Sequence, residues 1–169
     1  MTDSQKSPRL ELDEEAFEGH ARLFSYQFSQ FFQRVMREYQ HTFDGDLEKA
    51  LIIHAMASTN ISRVIGDDAL RREWSSLDGV IPTEHQTPSN ALSIAEATGI
   101  PRETTRRKIK LLIAEGLLME DERGGYRLAP GFVQSEPMRA LVAFQMREMI
   151  RLVNLALEGG FVSVNGSDG

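Results

Sequence analysis

Large apolar residues follow one another at steps of three, four or seven between residues 12 and 39. Because an α-helix completes one turn in 3.6 residues, these steps place the residues on one face of a long helix. A helix with such a face must pack against another helix or against a second copy of the chain. The stripe consists of Phe17, Phe24, Phe28, Phe31, Val35 and Tyr39.

Turns and shorter helical patterns fill the middle of the chain. Asp44-Gly45 predicts a turn, and residues 47–64 then follow a helical pattern. A short helix over residues 67–74 can be capped by the Asp67 side chain. Residues 75–89 are rich in turn-forming residues and predict a connecting loop.

The last part of the chain predicts one more long helix, from about residue 138 to residue 158. Its apolar residues cover more than one face, which is more than a small neighbouring domain can bury. We expect a disordered tail over residues 1–11, which have little to bury, and a flexible tail over residues 159–169.

The loop leads into a short helix followed by a tight turn. Asn90 or Ser89 can cap a helix over residues 91–97, because their side chains accept hydrogen bonds from free N–H groups. Gly99 can adopt the positive φ that ends such a helix. The pattern is typical of the first half of a helix-turn-helix.

A second helix and a hairpin follow the turn. Pro101 stands in the first turn of this helix, where proline is tolerated, and Gly116 ends it. Strands are predicted over residues 117–120 and 126–128, around a turn over residues 121–125 whose glycines permit the reversal. The stretch therefore predicts a helix-turn-helix with an attached β-hairpin.

The second helix has one apolar and one charged face. Steps of three and four residues direct its apolar side chains toward the first helix, where both helices form a small core. This predicted core consists of Ile94, Ala95, Ile100, Thr105, Ile109, Leu112 and Ile113. The opposite face carries Arg102, Glu103, Arg106, Arg107 and Lys110, with Thr104 near the N-terminal tip.

Charge is distributed unevenly along the chain. The sequence has 19 basic and 25 acidic residues, and its formal net charge of −6 argues weakly against nucleic-acid binding. From Pro101 to Lys110, however, five basic residues stand against one acidic residue. Since charge acts locally, a basic face on an acidic protein remains compatible with DNA binding.

These residue types match the chemistry of duplex DNA. The major groove admits an α-helix, and an arginine near the helix N-terminus can pair with O6 and N7 of guanine. Residues farther along the helix are better placed for phosphates, which add affinity without reading sequence. The candidate DNA-binding residues are Ser93, Arg102, Glu103, Thr104, Arg106, Arg107 and Lys110. Arg123 and Arg127 in the hairpin are weaker candidates, because DNA would repel the neighbouring Asp121 and Glu122.

Composition and spacing argue against several other classes of protein. The sequence has no cysteine, and its four histidines show no metal-ligand spacing. It has no glycine-rich phosphate loop and no His–carboxylate constellation, so we expect neither enzymatic activity nor a cofactor. No apolar run approaches the roughly 18 residues of a membrane helix, and the start is polar and acidic. We therefore expect a cytoplasmic protein without membrane association.

Residues 90–130 resemble the DNA-binding heads of bacterial winged helix-turn-helix regulators. The likeness rests on Ile94–Arg102 (IAEATGIPR), on Thr104 and Arg107, and on Glu115–Leu118 (EGLL). It is strongest to heads of the IclR type, with GntR and MarR heads similar at fewer positions. The resemblance implies that the second helix enters the major groove and that the hairpin is a wing. The residues to which it assigns these roles are Arg102, Thr104, Arg106, Arg107 and, on the wing, Arg123.

Two features depart from the IclR type. The position of Thr105 is usually occupied by a larger apolar residue in that family. IclR-type proteins also carry a separate effector-binding domain after the head, for which this chain is too short. Its flanks are helical instead, as in MarR-like dimers.

The patterns together predict a mainly α protein. We expect a winged helix-turn-helix domain over residues 46–130, with a three-helix core and a β-hairpin wing, flanked by an N-terminal dimerisation extension over residues 12–45 and a C-terminal dimerisation helix over residues 131–158. The predicted function is a homodimeric, sequence-specific transcriptional regulator that places residues 101–115 in the major groove of double-stranded DNA. The alternative is a winged-helix module for protein interaction or dimerisation that does not bind DNA.

Two further expectations concern the flanking helices. Their apolar faces would pair between subunits and so set the distance between two recognition helices. The predicted dimerisation residues are Phe24, Phe28, Phe31, Val35, Leu141, Met149, Leu152 and Val153. An aromatic cavity between helices can also hold a small apolar effector.

Overall fold

The computed structural model describes residues 9–165 and is mainly helical, as predicted. Its α-helices are α1 (Glu14–Thr42), α2 (Leu47–Asn60), α3 (Ser62–Gly66), α4 (Asp68–Glu73), α5 (Ala91–Thr98), α6 (Arg102–Ala114) and α7 (Glu136–Glu158), with a 3₁₀ turn at Thr83–His85. The strands are β1 (Arg9–Leu12), β2 (Leu118–Glu120), β3 (Tyr126–Leu128) and β4 (Val162–Asn165). β1 pairs with β4, and β2 pairs with β3, each in an antiparallel ladder.

The chain forms two compact units. The terminal unit consists of the described residues up to Arg37 together with those from Ala143 onward, and the central unit is Glu38–Val142. The central unit is larger than the predicted domain over residues 46–130. It extends on both sides because Phe43 and Leu141 are buried in its core.

The two ends of the chain form a β-ladder in the terminal unit. Arg9 lies opposite Asn165, and Leu12 lies opposite Val162. The predicted tails over residues 1–11 and 159–169 are therefore wrong for the residues in these two strands. Both strands alternate apolar and polar residues. Because β1 pairs with a strand far away in the sequence, no nearby turn or hairpin signal predicts the pairing. Residues 1–8 and 166–169 lie outside the described residues.

An aromatic cluster and an ion pair hold the terminal unit together. The ring of Phe161 is buried and meets the rings of Phe17 and Phe24 edge-on, at centroid distances of 6.4 and 5.9 Å. Arg34 Nε of α1 donates a hydrogen bond to Glu148 Oε2 of α7 at 2.6 Å. Because a buried carboxylate is costly without a partner, this pair fixes where the two helices meet.

The core of the central unit surrounds α2 and includes residues from α5, α6, the β2–β3 hairpin and α7. It consists of Phe43, Ala50, Ile52, Ile53, Met56, Ile94, Ile100, Ile109, Leu112, Leu118, Leu128, Met138 and Leu141. The assignment of Leu141 to a dimer surface is wrong, because its side chain is 1% exposed within this core. Its apolar character reflects packing at the start of α7.

Asn60, the last residue of α2, connects three parts of the central unit. Its side chain is buried, and Nδ2 donates to Thr87 O at 2.7 Å. The Leu128 N–H donates to Asn60 Oδ1 at 2.9 Å, and the Thr87 N–H donates to the Asn60 carbonyl oxygen at 3.1 Å. One amide thus holds β3 and the segment before α5 against α2.

We expect Asn60→Ala to destabilise the protein strongly. The substitution leaves the Leu128 N–H and the Thr87 carbonyl without their partners, and the two losses together should lower the free energy of unfolding by about 2–4 kcal/mol. Urea denaturation measures this change. The control is Ser58→Ala on the exposed side of α2, and similar small effects of both substitutions would contradict the role of Asn60.

Candidate nucleic-acid interface

The two predicted helices and the tight turn between them are present, and the first of them has the expected caps. Asn90 Oδ1 accepts hydrogen bonds from the N–H groups of Leu92 and Ser93, both at 3.0 Å, which confirms the predicted cap of α5. Gly99 ends α5 with a φ of +71°, as predicted. Ser89, the alternative cap, instead exchanges two backbone hydrogen bonds with Tyr126 and so extends the hairpin ladder by one bridge.

Thr105 fixes the start of α6 to the turn. Its side chain is completely buried, and its hydroxyl donates to the carbonyl oxygens of Ile100 and Pro101 at 3.3 and 3.2 Å. This hydroxyl lies at the position where regulators of the IclR type usually have a larger apolar side chain. The rest of the predicted core is confirmed, with Ile94, Ala95, Ile100, Ile109 and Leu112 buried and Ile113 half-buried.

The opposite side of α6 is basic and exposed. We call this side the α6 basic face; it consists of Arg102, Arg106, Arg107 and Lys110, all exposed to solvent. Arg106 pairs with the exposed Glu103 one turn earlier, at 3.3 Å. Within residues 9–165, no carboxylate forms an ion pair with the other three cations of this face. Thr104 beside them is half-buried.

Lys108 belongs to a separate charge cluster that joins α6 to the start of α2. Its ammonium group forms a short ion pair with Asp46 and lies 3.4 Å from Glu48 Oε2. In the same region, Lys49 Nζ pairs with Glu115 Oε2 at 2.6 Å. The basic face is consequently smaller than the count of basic residues suggested, but it lies on a helix that is firmly held.

The pKa of Asp46 reflects this cluster. Burial raises the pKa of its carboxyl group, but hydrogen bonds from Lys108 and from the Lys49 N–H, with the charges of both lysines, outweigh burial and lower the pKa below its ordinary value. The hydrogen bond to Asp46 is the main cause that raises the pKa of Lys108. Each partner thus favours the charged form of the other.

Asp121 and Arg127 stabilise the hairpin turn from within. Asp121 Oδ1 accepts from the Gly125 and Arg123 N–H groups at 2.7 and 3.0 Å, and its other oxygen pairs with Arg127. The hydrogen bond from Gly125 and then that from Arg127 lower the pKa of Asp121. The Arg127 side chain is only 12% exposed and is engaged by Asp121, so the structure lends no support to its predicted contact with DNA.

Arg123 remains the exposed cation of the hairpin, and no ion pair holds it in the described chain. Glu122 beside it is also exposed. The repulsion expected from Asp121 is reduced, because Arg127 compensates its charge.

The candidate residue Ser93 lies in the first turn of α5. Its N–H is used by the Asn90 cap and is not available to a phosphate. Its side chain is exposed, so the hydroxyl is the group that remains for such a contact.

Sequence reasoning missed three groups that shape this region: Asn60, the Asp46–Lys108 pair and the Asp121–Arg127 pair. The partners of Asn60 and Lys108 are distant in sequence. Asp121 and Arg127 are near in sequence, and their opposite charges on either side of a tight turn were the available indication.

We expect Asp46→Asn to make stability less dependent on pH. A lowered native pKa means that the unfolded chain binds the proton more readily, so the contribution of this carboxylate is complete above about pH 5 and is lost as the pH falls through the native pKa. Asparagine keeps a capping oxygen for Lys49 N–H but not the charge. The free energy of unfolding should fall at pH 7 and decline less steeply between about pH 5 and pH 3 than in the wild type.

The control for this substitution is Asp44→Asn. Asp44 is exposed, makes no side-chain hydrogen bond or ion pair within residues 9–165, and has a φ of +53°, which asparagine tolerates. Equal pH dependence of both variants in denaturant titrations would contradict the assigned role of the Asp46–Lys108 pair.

Neither a metal centre nor a membrane span is evident in the part of the chain that the structure describes. No three His, Asp or Glu side chains there are arranged to hold a metal ion. No helix of that part combines the length and the apolar character needed to cross a bilayer. Comparisons of the chain with protein families, with curated proteins and with solved structures gave no match.

Proposed function

We propose that the central unit is a winged helix-turn-helix that binds double-stranded DNA, with α6 in the major groove and the β2–β3 hairpin as the wing. The observation that carries this proposal is the division of α6 into a fully packed face and a basic face. Arg102, Arg107 and Lys110 have no carboxylate partner in the described chain, whereas surface cations on a solvated helix usually alternate with acids. Unpaired cations in a row suit the phosphates that line a DNA groove.

The position of a residue along α6 determines whether we assign it to contacts with bases or to contacts with phosphates. Arg102, Glu103 and Thr104 form the N-terminal turn, which is the part of a recognition helix that meets base edges. Arg102 suits guanine, and the carboxylate of Glu103 suits the amino group of cytosine. Arg107 and Lys110 lie farther along the helix and are assigned to phosphates.

Arg106, Ser93 and Arg123 complete the proposed interface. The exposed Arg106–Glu103 pair is worth only about 0–1 kcal/mol, so DNA can replace it at little cost. The Ser93 hydroxyl adds one neutral phosphate contact, and Arg123 places one charge on the wing. The net charge of −6 does not oppose this arrangement, because several acids near α6 are already paired with lysines.

The second part of the proposal is a homodimer formed through the terminal unit. None of the 29 residues of α1 is buried, although the helix carries a row of aromatic side chains. Apolar faces this large on a soluble protein mark a contact surface. In the parts of these two helices that belong to the terminal unit, the exposed large apolar residues are Leu23, Tyr26, Phe28 and Phe32 on α1, and Met146, Met149 and Ile150 on α7.

The predicted dimerisation residues differ in how far their side chains are exposed. Phe28 and Met149 are exposed, whereas Phe24, Phe31, Val35, Leu152 and Val153 are half-buried within one chain. Phe24 already packs on Phe161, so it supports the surface more than it forms the contact. A symmetric dimer would present two recognition helices to half-sites about one DNA turn, roughly 34 Å, apart.

We expect the protein to bind mixed-sequence duplex DNA with an affinity that falls steeply as salt rises. Fluorescence anisotropy across a salt series measures the slope of log affinity against log salt. The double variant Arg107→Ala, Lys110→Ala removes two proposed phosphate contacts per chain and should reduce the magnitude of this slope by about 2 for each bound chain. Its thermal midpoint should be unchanged, because both residues are exposed.

The matched control for DNA binding is the double variant Arg72→Ala, Arg147→Ala. It removes the same charge from two exposed residues outside α5, α6 and the hairpin. Equal losses in both double variants would show that net charge alone drives binding. Absence of binding by the wild type at low salt would overturn the proposal and favour a protein-interaction module.

We expect the wild type to have twice the 19.0 kDa mass of one chain at micromolar concentration. Met149→Glu should shift the mass toward the monomer, because it places a charge on the proposed contact. Leu111→Glu should not, although Leu111 in the central unit is 53% exposed and Met149 is 55% exposed. Light scattering measures both masses, and a monomeric wild type would refute the dimer.

A further inference from the structure

The central unit contains an apolar cavity of about 260 Å³. Its walls come from the end of α2, from α3 and α4, from the loop after α4, and from the segment that follows β3. The location of this cavity differs from that of the cavity between aromatic helices that the sequence suggested. Its main apolar lining residues are Ile61, Val64, Ile65, Trp74, Leu128 and Val133.

The amide side chains around this cavity are already engaged within the protein. Asn60 uses both ends of its amide, toward Thr87 and Leu128. Gln86 Nε2 donates to Ile81 O at 2.8 Å, and Gln134 Nε2 donates to Gly79 O at 2.9 Å.

The charged lining residue is also engaged. The guanidinium group of Arg71 pairs with Asp68 and donates to Ile65 O at 3.3 Å, and its side chain is more than half exposed. The cavity therefore offers an apolar interior and no unpaired charge among its described lining residues. A charged ligand would lose its hydration there without gaining an ionic partner.

We propose that this cavity binds a small, uncharged and mainly apolar molecule. An engineered apolar cavity of roughly 150 Å³ binds benzene, so a cavity of this larger volume accommodates a molecule of more than one ring. The apolar lining supplies affinity by removing the surface of the ligand from water.

The position of Asn60 connects the cavity to the proposed DNA-binding surface. Asn60 lines the cavity and also holds Thr87, before α5, and Leu128, in the hairpin. Leu128 itself lines the cavity. A bound molecule thus contacts the residues that fix α5 and the wing. This regulatory consequence rests on the proposed DNA binding, whereas ligand binding itself does not.

The test uses the full chain and the uncharged dye N-phenylnaphthylamine. Trp74 lines the cavity and is the single tryptophan of the protein, so energy transfer from Trp74 to the dye reports binding. We expect saturable transfer with one dye per chain, and a higher thermal midpoint because the ligand binds only the folded state. Anilinonaphthalenesulfonate has the same rings plus a negative charge and should bind in the cavity beside Trp74 at least about tenfold more weakly, because its charge would be desolvated.

Two matched variants locate the site. Val80 lines the cavity and is 45% exposed, and Val80→Arg should weaken dye binding at least about tenfold by placing a charge in the wall. Leu92 is 47% exposed and does not line the cavity, so Leu92→Arg should leave dye binding unchanged. Equal affinities of the two variants would place the dye elsewhere and overturn the site. If the wild type showed no energy transfer from Trp74 to the dye and no rise in its thermal midpoint, the site would be overturned without any variant.

The regulatory consequence has its own measurement. Saturating dye should change the affinity for mixed-sequence DNA by about fivefold or more. Dye binding with unchanged DNA affinity would overturn the coupling and support the cavity as a ligand site. Absence of DNA binding with normal dye binding would overturn the proposed function and leave the ligand site supported.

Discussion

The buried amide of Asn60 is the constraint on which the arrangement of the central unit depends. A polar side chain in a core is tolerated only when its donor and acceptor are both satisfied, because each unsatisfied group costs roughly 1–3 kcal/mol. Asn60 meets this condition with backbone groups of Thr87 and Leu128, and not with another side chain. The end of α2 therefore determines where the chain enters α5 and where the hairpin returns. An apolar residue at this position would fill the same space without specifying either position.

Charge pairing explains how an acidic protein can present a basic helix. Lys108 and Lys49 face Asp46, Glu48 and Glu115, which draws α6 onto α2 and uses acids that would otherwise oppose a nucleic acid. Screening limits the reach of exposed charges to about 10 Å at ordinary salt, so paired acids contribute little to the field at the exposed side of α6. The charges that remain unpaired there are positive.

The features that the sequence predicted correctly are those that depend on neighbouring residues. The Asn90 cap, the positive φ of Gly99 and the buried row from Thr105 to Leu112 each follow from spacing within one or two helical turns. The errors arise where partners are distant in sequence: the terminal strands pair across the whole chain, and Leu141 packs into a core built elsewhere. The role of Arg127 within the hairpin was missed for a different reason, since composition does not distinguish a cation that binds a ligand from one that stabilises a turn.

The stability of helix α1 depends on a different physical factor, which is the burial of its apolar face. Isolated helices gain little from propensity alone, and most helices are stabilised by burying one face. In α1 no residue is buried, while Phe28 and Phe32 remain about half exposed. The Arg34–Glu148 pair and the contacts of Phe17 and Phe24 with Phe161 cover only part of its length. Burial of apolar surface contributes about 25 cal/mol per Å², so pairing the exposed stripes of two chains would supply the stabilisation that one chain lacks. On this argument the proposed dimer would stabilise α1 and would also set the spacing of the two proposed DNA-binding units.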